Sequence, residues 1–264
     1  MLTHLTPSPS TVSSRSVPAS RAEVIYPDSD GKPMADNTRQ FEVIVTLQGG
    51  LAMMFADRPD VFVAGDLLWY PVEGNNQIRA APDVMVAFGR PPGYRGSYQQ
   101  WREEGIAPQV AFEVLSPGNR SAEMIRKFDF YQHHGVEEYY VYDPDRGVLK
   151  GWLRQAGRLT PIPGMEGWVS PRLGIRFGLE GDDLVVQRPD GRCFETFVET
   201  GKRSERSELR VEAECQRAEA ESRRAETESR RAEAESRRAS ESEQRFQRLA
   251  ERLRVLGFDP DAIG

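Results

Sequence analysis

The sequence is poor in cysteine, in histidine and in long apolar runs. Its 264 residues include only two cysteines, Cys193 and Cys215, and three histidines. The cysteines lack Cys-x-x-Cys or Cys/His spacing, so we expect free thiols, as in a reducing compartment. No apolar run approaches the roughly 18 residues that a membrane-spanning helix needs, and no apolar segment follows the amino terminus. These absences favour a soluble, cytoplasmic protein.

The sequence also lacks an excess of positive charge. The formal net charge is −6, and residues 202–254 contain 15 basic and 13 acidic side chains, which leaves 20 basic and 28 acidic ones in the remainder. Such a balance argues against a protein that coats nucleic acid through its overall field. Any DNA binding must come from a local basic patch or from a metal ion that offsets carboxylates.

Composition divides the chain into four segments. Residues 1–22, rich in serine, threonine and proline, predict a disordered leader, and a transit-like segment is the alternative. Residues 23–200 hold most of the apolar side chains and predict one globular domain. Residues 201–256 predict a charged helix or coiled coil, and residues 257–264 a short tail.

The charged segment repeats every seven residues. The unit R-A-E-A-E-S-R recurs with small changes and places glutamate four residues before arginine. Each such pair stabilises a helix by about 0.2–0.5 kcal/mol. Because the d-type positions of the repeat hold glutamates, which a stable coiled-coil seam would not bury, two interpretations stay open. One is a solvated single helix, and the other is a weak coiled coil that joins copies into a homo-oligomer.

Apolar spacing in residues 23–200 predicts an α/β fold with a mixed sheet. Apolar residues between Phe41 and Phe55 recur at three and four, which is typical of an amphipathic helix, here capped by Asp36 or Asn37. Short β-rich runs then predict a meander of three strands, a further strand, a helix that stops at Gly135, and another strand. The meander strands are residues 61–63, 67–70 and 83–88, and the later strands are residues 110–115 and 138–142.

A long loop, residues 89–108, separates the third and fourth of these strands. It carries Tyr94, Tyr98 and Trp101. A loop of this length is often functional or mobile. Its aromatic side chains either cover an edge of the sheet or stack on nucleobases.

Two acids and one lysine are the candidate functional residues. Asp83 follows a proline at the start of one strand, and Glu113 lies within the apolar strand V-A-F-E-V-L, where a buried carboxylate needs a partner or a metal ion. Lys127 lies on the helix that follows. Carboxylates at neighbouring strand ends can bind Mg²⁺, which polarises a phosphoryl oxygen and activates water, and an ammonium can stabilise the developing charge.

Each candidate also has a structural interpretation. Asp83 could be a turn acid, and Lys127 a solvated helix lysine. Asp66, near the end of the first strand, is a weaker third candidate. Glu123, Lys127 and Tyr131 share one helix face at i,i+4 spacing, which allows Lys127 to point at the sheet.

Four segments in order carry a family resemblance: P-D-V-M-V, E-V-L-S-P-G-N-R, K-F-D-F-Y and G-V-E-E-Y-Y-V-Y-D-P. Over roughly residues 34–153 the chain resembles the bacterial Uma-two family of restriction-endonuclease-like proteins, a branch of the PD-(D/E)XK nuclease superfamily. The resemblance implies that fold, with Asp83 and Glu113 as ligands of Mg²⁺ or Mn²⁺ and Lys127 as a catalytic residue. It also implies cleavage of phosphodiester bonds in DNA.

The sequence departs from the superfamily signature at the lysine. Leu115 stands where Glu-x-Lys would place it, and Lys127 is the natural substitute because the family resemblance includes a lysine on this helix. We therefore expect a metal-dependent endonuclease. The alternatives are a catalytically inactive nuclease fold that acts as an interaction module, and a structure-specific nucleic-acid binder without cleavage.

Overall fold

The computed structural model describes residues 24–31, 33–118 and 121–256. The chain divides into two compact units, with the boundary between Thr196 and Phe197. The predicted leader at residues 1–22 and the predicted tail at residues 257–264 lie outside the described residues. No helix in the described ranges is long and apolar enough to cross a lipid bilayer. Both cysteines carry free thiols, as the sequence predicts.

The first unit is a mixed α/β fold. Its helices are α1 (Thr38–Met54) and α2 (Ser121–His133). Its strands are β1 (Val61–Gly65), β2 (Trp69–Tyr70), β3 (Val84–Phe88), β4 (Tyr98–Gln99), β5 (Val110–Val114), β6 (Glu138–Asp143), β7 (Val148–Gln155), β8 (Arg158–Pro161), β9 (Arg176–Glu180) and β10 (Asp183–Gln187), with a 3-10 helix at Gln100–Arg102.

Six of these strands form the central sheet, in the spatial order β1-β3-β5-β6-β7-β8. Neighbours are antiparallel except for β5 and β6, which are parallel and are connected through α2. A parallel pair requires a crossover connection, and the helix provides it. Along the chain the elements of this core follow in the order α1, β1, β3, β5, α2 and β6, and residues 67–70, which were predicted as a strand of the same sheet, are not part of it.

Each face of the sheet packs against one helix. The face that includes Val84 and Phe112 forms one core cluster with the apolar side of α1, where Ile44 is buried. The opposite face, which includes Ala111, forms a second cluster with α2, where Tyr131 is buried. Side chains alternate between the two faces along a strand. Because of this alternation, each residue of β5, and each residue that adjoins β3, faces either α1 or α2.

The capping of α1 agrees with the sequence. Asn37 precedes the helix with extended backbone, and its side chain accepts a hydrogen bond from the Gln40 N–H. This contact satisfies one of the free donors of the first turn. Of the two candidates, Asn37 is the N-cap.

The predicted three-stranded meander is wrong. β1 pairs directly with β3, and their register from Val61 opposite Phe88 to Gly65 opposite Val84 leaves no place for residues 67–70 between them. β2 pairs in parallel with β4 in a separate two-stranded sheet. The chain leaves β1 at Asp66, which has a φ of 46°, and Trp69 is fully buried against α2. Burial of this large ring, and not alternation along a strand, determines the path.

The long loop before β5 is fastened by a partly buried ion-pair cluster. Arg90 Nε lies 2.9 Å from Glu103 Oε2 and Arg95 Nε lies 2.6 Å from Glu103 Oε1, and all three side chains are 11–13% exposed. Burial acts to raise the pKa of Glu103, but hydrogen bonds and charges from Arg95 and Arg90 outweigh it, so the pKa lies below its usual value. The aromatic side chains of the loop differ in environment: Tyr98 is fully buried and Tyr94 is exposed.

We predict that Glu103→Gln lowers the free energy of unfolding at neutral pH by about 1.5–3 kcal/mol, because charge-assisted hydrogen bonds are lost. The depressed pKa means that the wild-type advantage exists above the ordinary carboxyl pKa of 4.5 and is lost as the pH falls below it. Urea unfolding of both proteins between pH 3 and pH 7 measures this. Glu104→Gln is the matched control, since Glu104 pairs with Arg90 but is 77% exposed. Equal stability of Glu103→Gln and wild type at pH 7 would contradict the prediction.

The second unit contains α3 (Phe197–Val255), a helix of 59 residues that corresponds to the predicted charged segment. None of its residues is buried. Arg230 donates to Glu226 at 2.6 Å, and Arg223 lies 3.7 Å from Glu219, as the i,i+4 spacing predicts. Its stability must come from these pairs and from alanine propensity, because it has no buried apolar face. Coiled-coil pairing stays a prediction.

Removal of α3 from Ser204 onward should leave the first unit as stable as it is in the full chain, because α3 contributes no buried residue. A chain truncated before Ser204 is compared with the full protein by thermal melting followed by near-ultraviolet circular dichroism, which reports the packed aromatic core. We expect equal midpoints. A clear drop in the midpoint would show that the helix stabilises the domain.

Candidate active site

Asp83 and Glu113 lie side by side at the same end of the neighbouring strands β3 and β5. In the ladder between β3 and β5, Val84 pairs with Phe112, so the next position places Asp83 opposite Glu113. The Val114 N–H donates to Asp83 Oδ2 at 2.6 Å, which joins the two chain segments at this point. Because Glu113 alternates with Phe112, its side chain lies on the α2 face of the sheet. The structure therefore brings the two predicted acids together.

Glu113 is buried and bound at both oxygens by α2. It is 3% exposed in the centre of an apolar strand. Lys127 Nζ donates to Glu113 Oε2, and Tyr131 Oη donates to Glu113 Oε1, each at 2.5 Å. Lys127 Nζ also lies 3.4 Å from the Ala81 carbonyl oxygen. Lys127 and Tyr131, which are four residues apart on one face of α2, thus both donate hydrogen bonds to the same carboxylate. We call Asp83, Glu113, Lys127 and Tyr131 the acidic site.

The acidic site holds two carboxyl groups and one ammonium group, and burial and mutual charge shift the pKa of each. Burial, and then the charge of Glu113, raise the pKa of Asp83 well above its usual value. Burial also raises the pKa of Glu113, against the opposing effect of Lys127. Burial would lower the pKa of Lys127, but the charges of Glu113 and Asp83 outweigh it and raise the pKa. The lysine is therefore charged at neutral pH, and one ammonium faces two carboxyl groups.

The arrangement fits a divalent cation through its carboxylates. Asp83 uses one oxygen for the Val114 N–H, and its Oδ1 makes no hydrogen bond to any described residue. Each oxygen of Glu113 has a second lone pair. No group of three or more histidine, cysteine, aspartate or glutamate side chains in the described ranges could hold a metal ion. A cation on this pair would take its other ligands from water or phosphate, as Mg²⁺ does.

Asp66 lies at the margin of the acidic site. Its N–H donates to the Asp83 carbonyl oxygen at 3.2 Å, and its side chain is exposed. Burial and the charge of Asp30 raise its pKa, while Lys127 opposes the shift. Asp66 is therefore close enough to sense the lysine charge, but no direct contact joins its carboxylate to the other acids in the described structure.

Two residues of the site region were not assigned a role from the sequence. Tyr131 was recognised only as part of a helix face, although its hydroxyl binds Glu113. Gln40, which is 5% exposed on α1, donates from Nε2 to the Val114 carbonyl oxygen at 2.7 Å. The available signal was a polar residue at the start of an otherwise apolar helix face. Gln40 supports the strand that carries Glu113 from the opposite side of the sheet.

A mixed sheet with one helix on each face, and two acids from adjacent strands joined to a helix lysine, defines a restriction-endonuclease-like α/β domain. The profile of the Uma2 family, described as "Putative restriction endonuclease", matches residues 30–187, more than half of the chain. The chain belongs to this family. Nothing among curated proteins matches.

A solved structure also aligns with the chain. It is the crystal structure, at 1.96 Å resolution, of a "putative nuclease belonging to DUF820" from Anabaena variabilis ATCC 29413. The two chains are 15% identical with a TM-score of 0.40, and the alignment covers 53% of this chain and 74% of that chain.

We predict that Tyr131→Phe destabilises the protein by about 1–3 kcal/mol, because buried Glu113 loses a hydrogen-bond donor. Tyr139→Phe is the matched control. Tyr139 is equally buried on the same face of the sheet, and its hydroxyl has no hydrogen-bond partner in the described parts of the chain. Urea unfolding should therefore show a loss for Tyr131→Phe and little or none for Tyr139→Phe. Equal effects would mean that the Tyr131 hydroxyl does not support Glu113.

Proposed function

We propose that this protein is a metal-dependent endonuclease that hydrolyses phosphodiester bonds of DNA. Family membership supports a nuclease-like function. The observation that supports the finer proposal is the convergence of Asp83 and Glu113 from adjacent strands with Lys127 from α2. Burial and the charge of Glu113 both disfavour the ionised form of Asp83, and a bound cation would offset both effects.

Each residue of the acidic site has a role in the proposal. Asp83 and Glu113 hold Mg²⁺, or Mn²⁺, which when bound polarises the scissile phosphate and lowers the pKa of water. Tyr131 keeps Glu113 in one orientation through the bond to Oε1. Lys127, already charged, stabilises negative charge that develops on the phosphate, or orients the attacking water. Its side chain is 21% exposed, so this part of the site is not fully closed to solvent.

The contact between Lys127 and Glu113 favours a second candidate function. Lys127 already neutralises Glu113 directly, and Tyr131 occupies the other oxygen. A carboxylate satisfied in this way needs no metal ion for the stability of the fold. This favours the alternative of a catalytically inactive domain that acts as an interaction module, with α3 as the segment that contacts a partner or a second copy. We place the endonuclease in the cytoplasm. A DNA substrate fits that location, and the two free thiols fit a reducing compartment.

The assay that separates the two functions is nicking of supercoiled plasmid with Mg²⁺, with Mn²⁺ and with EDTA. We expect nicking with either cation and none with EDTA. Asp83→Asn and Glu113→Gln should each reduce the rate by at least about a hundredfold, because each removes a charged ligand. Asp66→Asn is the matched control and should retain most activity. Absence of nicking by the wild type under all conditions, with the fold intact, would favour the interaction module.

The same variants test cation binding without catalysis. Mg²⁺ and Mn²⁺ should raise the melting temperature of the wild type, because a ligand that binds only the folded state stabilises it. The Asp83→Asn/Glu113→Gln double variant should lose this response. Isothermal calorimetry that shows equal Mg²⁺ binding by wild type and double variant would place the cation elsewhere.

For Lys127, we predict that Lys127→Met abolishes nicking and also lowers the free energy of unfolding by about 3–5 kcal/mol, because Glu113 becomes a buried charge without its partner. Lys127→Met/Glu113→Gln should recover much of the stability, since both charges are gone, but not the activity. Urea unfolding and nicking are measured on both variants. Activity that survives in folded Lys127→Met would show that another group stabilises the phosphate.

A further inference from the structure

Beside the acidic site, an apolar groove lies between α2 and the strands β6 and β7. Its volume is about 450 Å³, within the usual range of small-ligand sites. Phe128 and Trp152 pack edge to face, and Trp152 stacks on Tyr139 with 5.2 Å between ring centroids. Ile125, which is 61% exposed, lies at the α2 side. We call this feature the α2 groove. Phe128 and Trp152 are partly exposed at its floor, and Tyr139, which is 1% exposed, lies beneath Trp152.

The α2 groove adjoins the acidic site through neighbouring residues of the same elements. Leu115 lines the groove and lies two residues after Glu113. Val141, another lining residue, is the β6 partner of Glu113 in the sheet. Phe128 follows Lys127 on α2. The pKa of Tyr139 is raised, chiefly by burial and further by the charges of Glu113 and Asp83. A molecule that extends from the acidic site along these shared elements would therefore reach the groove.

The charged rim of the groove suits an anionic ligand with a flat apolar part. Lys150 and Arg146 are both exposed at the rim. Arg146 lies 3.8 Å from Asp143, so that pair is close to neutral, whereas Lys150 has no ion-pair partner within the described ranges. The rim thus carries one net positive charge. Aromatic rings beside a cation bind nucleobases by stacking while the cation binds phosphate.

We propose that the α2 groove binds an unpaired nucleobase of a DNA strand whose phosphate lies in the acidic site. The ring of the base stacks on the aromatic floor at Trp152, and Lys150 contacts the adjoining phosphate. This inference rests on the proposed function, because it names the form of DNA that the same site accepts. A base within a duplex is already stacked and paired, so the groove selects single-stranded or locally opened DNA.

The test measures binding of fluorescein-labelled oligonucleotides to the full protein by anisotropy, with Ca²⁺ in place of Mg²⁺. Ca²⁺ binds oxygen ligands and so offsets the two carboxylates. Gel electrophoresis of each sample checks that the strands stay uncleaved during the measurement. The probes are a single strand of twelve thymidine nucleotides, an abasic strand of equal length and charge, and a duplex of the thymidine strand with its complement. We expect the thymidine strand to bind about tenfold more tightly than the abasic strand, because only the former can stack. The duplex should bind less tightly than the thymidine strand.

Two variants at exposed positions locate the effect. Ile125→Glu introduces a carboxylate into the groove and should remove the preference for bases over abasic sites. Lys150→Ala should weaken binding of both strands, and Lys202→Ala, an exposed lysine on α3, is the matched control that should not. Far-ultraviolet circular dichroism confirms that each variant folds. Equal binding of thymidine and abasic strands by the wild type, or a base preference that persists in Ile125→Glu, overturns the proposal.

Binding and cleavage can fail separately. Loss of plasmid nicking with an intact, Ile125-dependent base preference would refute the hydrolytic function and leave the groove as a nucleobase site. Nicking by a protein that shows no base preference would support the hydrolytic function and refute the groove.

Discussion

The fold depends on how a buried glutamate in its central strand is satisfied. Glu113 lies among apolar neighbours and would be strongly unfavourable as an unpaired charge. Lys127 and Tyr131 satisfy its two oxygens from one face of α2. The same two contacts therefore dock α2 on the sheet and hold Glu113 beside Asp83. Structural support and candidate chemistry are inseparable at this position.

Much of this arrangement was predictable from the residues. An acid inside V-A-F-E-V-L requires a partner, and the i,i+4 spacing of Lys127 and Tyr131 indicates a helix face that can supply it. The adjacency of Asp83 and Glu113 follows once β3 and β5 are neighbours, because the sheet register then places them opposite each other. The family resemblance supplied the choice of Lys127 over the absent strand lysine, and family membership is confirmed.

Other features required the three-dimensional structure. The path of residues 67–70 depends on burial of Trp69 against α2 and on pairing with Tyr98, which is distant in sequence. Local alternation cannot reveal such a contact. The bond from Gln40 to the Val114 carbonyl is equally non-local. The ion pairs that fasten the loop before β5 join Glu103 to Arg90 and Arg95, and the sequence offers no sign of which arginines are buried. Within α3, by contrast, local charge pairs and propensity were sufficient.

The central claim is that Asp83 and Glu113 together bind a catalytic divalent cation. Anomalous diffraction from crystals of the protein soaked in Mn²⁺, collected at the manganese edge, locates the ion directly. The account predicts one strong peak within bonding distance of carboxylate oxygens of both residues, and no peak at that position in crystals of the Asp83→Asn variant. A well-ordered Mn²⁺ site elsewhere, or no peak between Asp83 and Glu113 at saturating Mn²⁺ while Lys127 stays on Glu113, would contradict it.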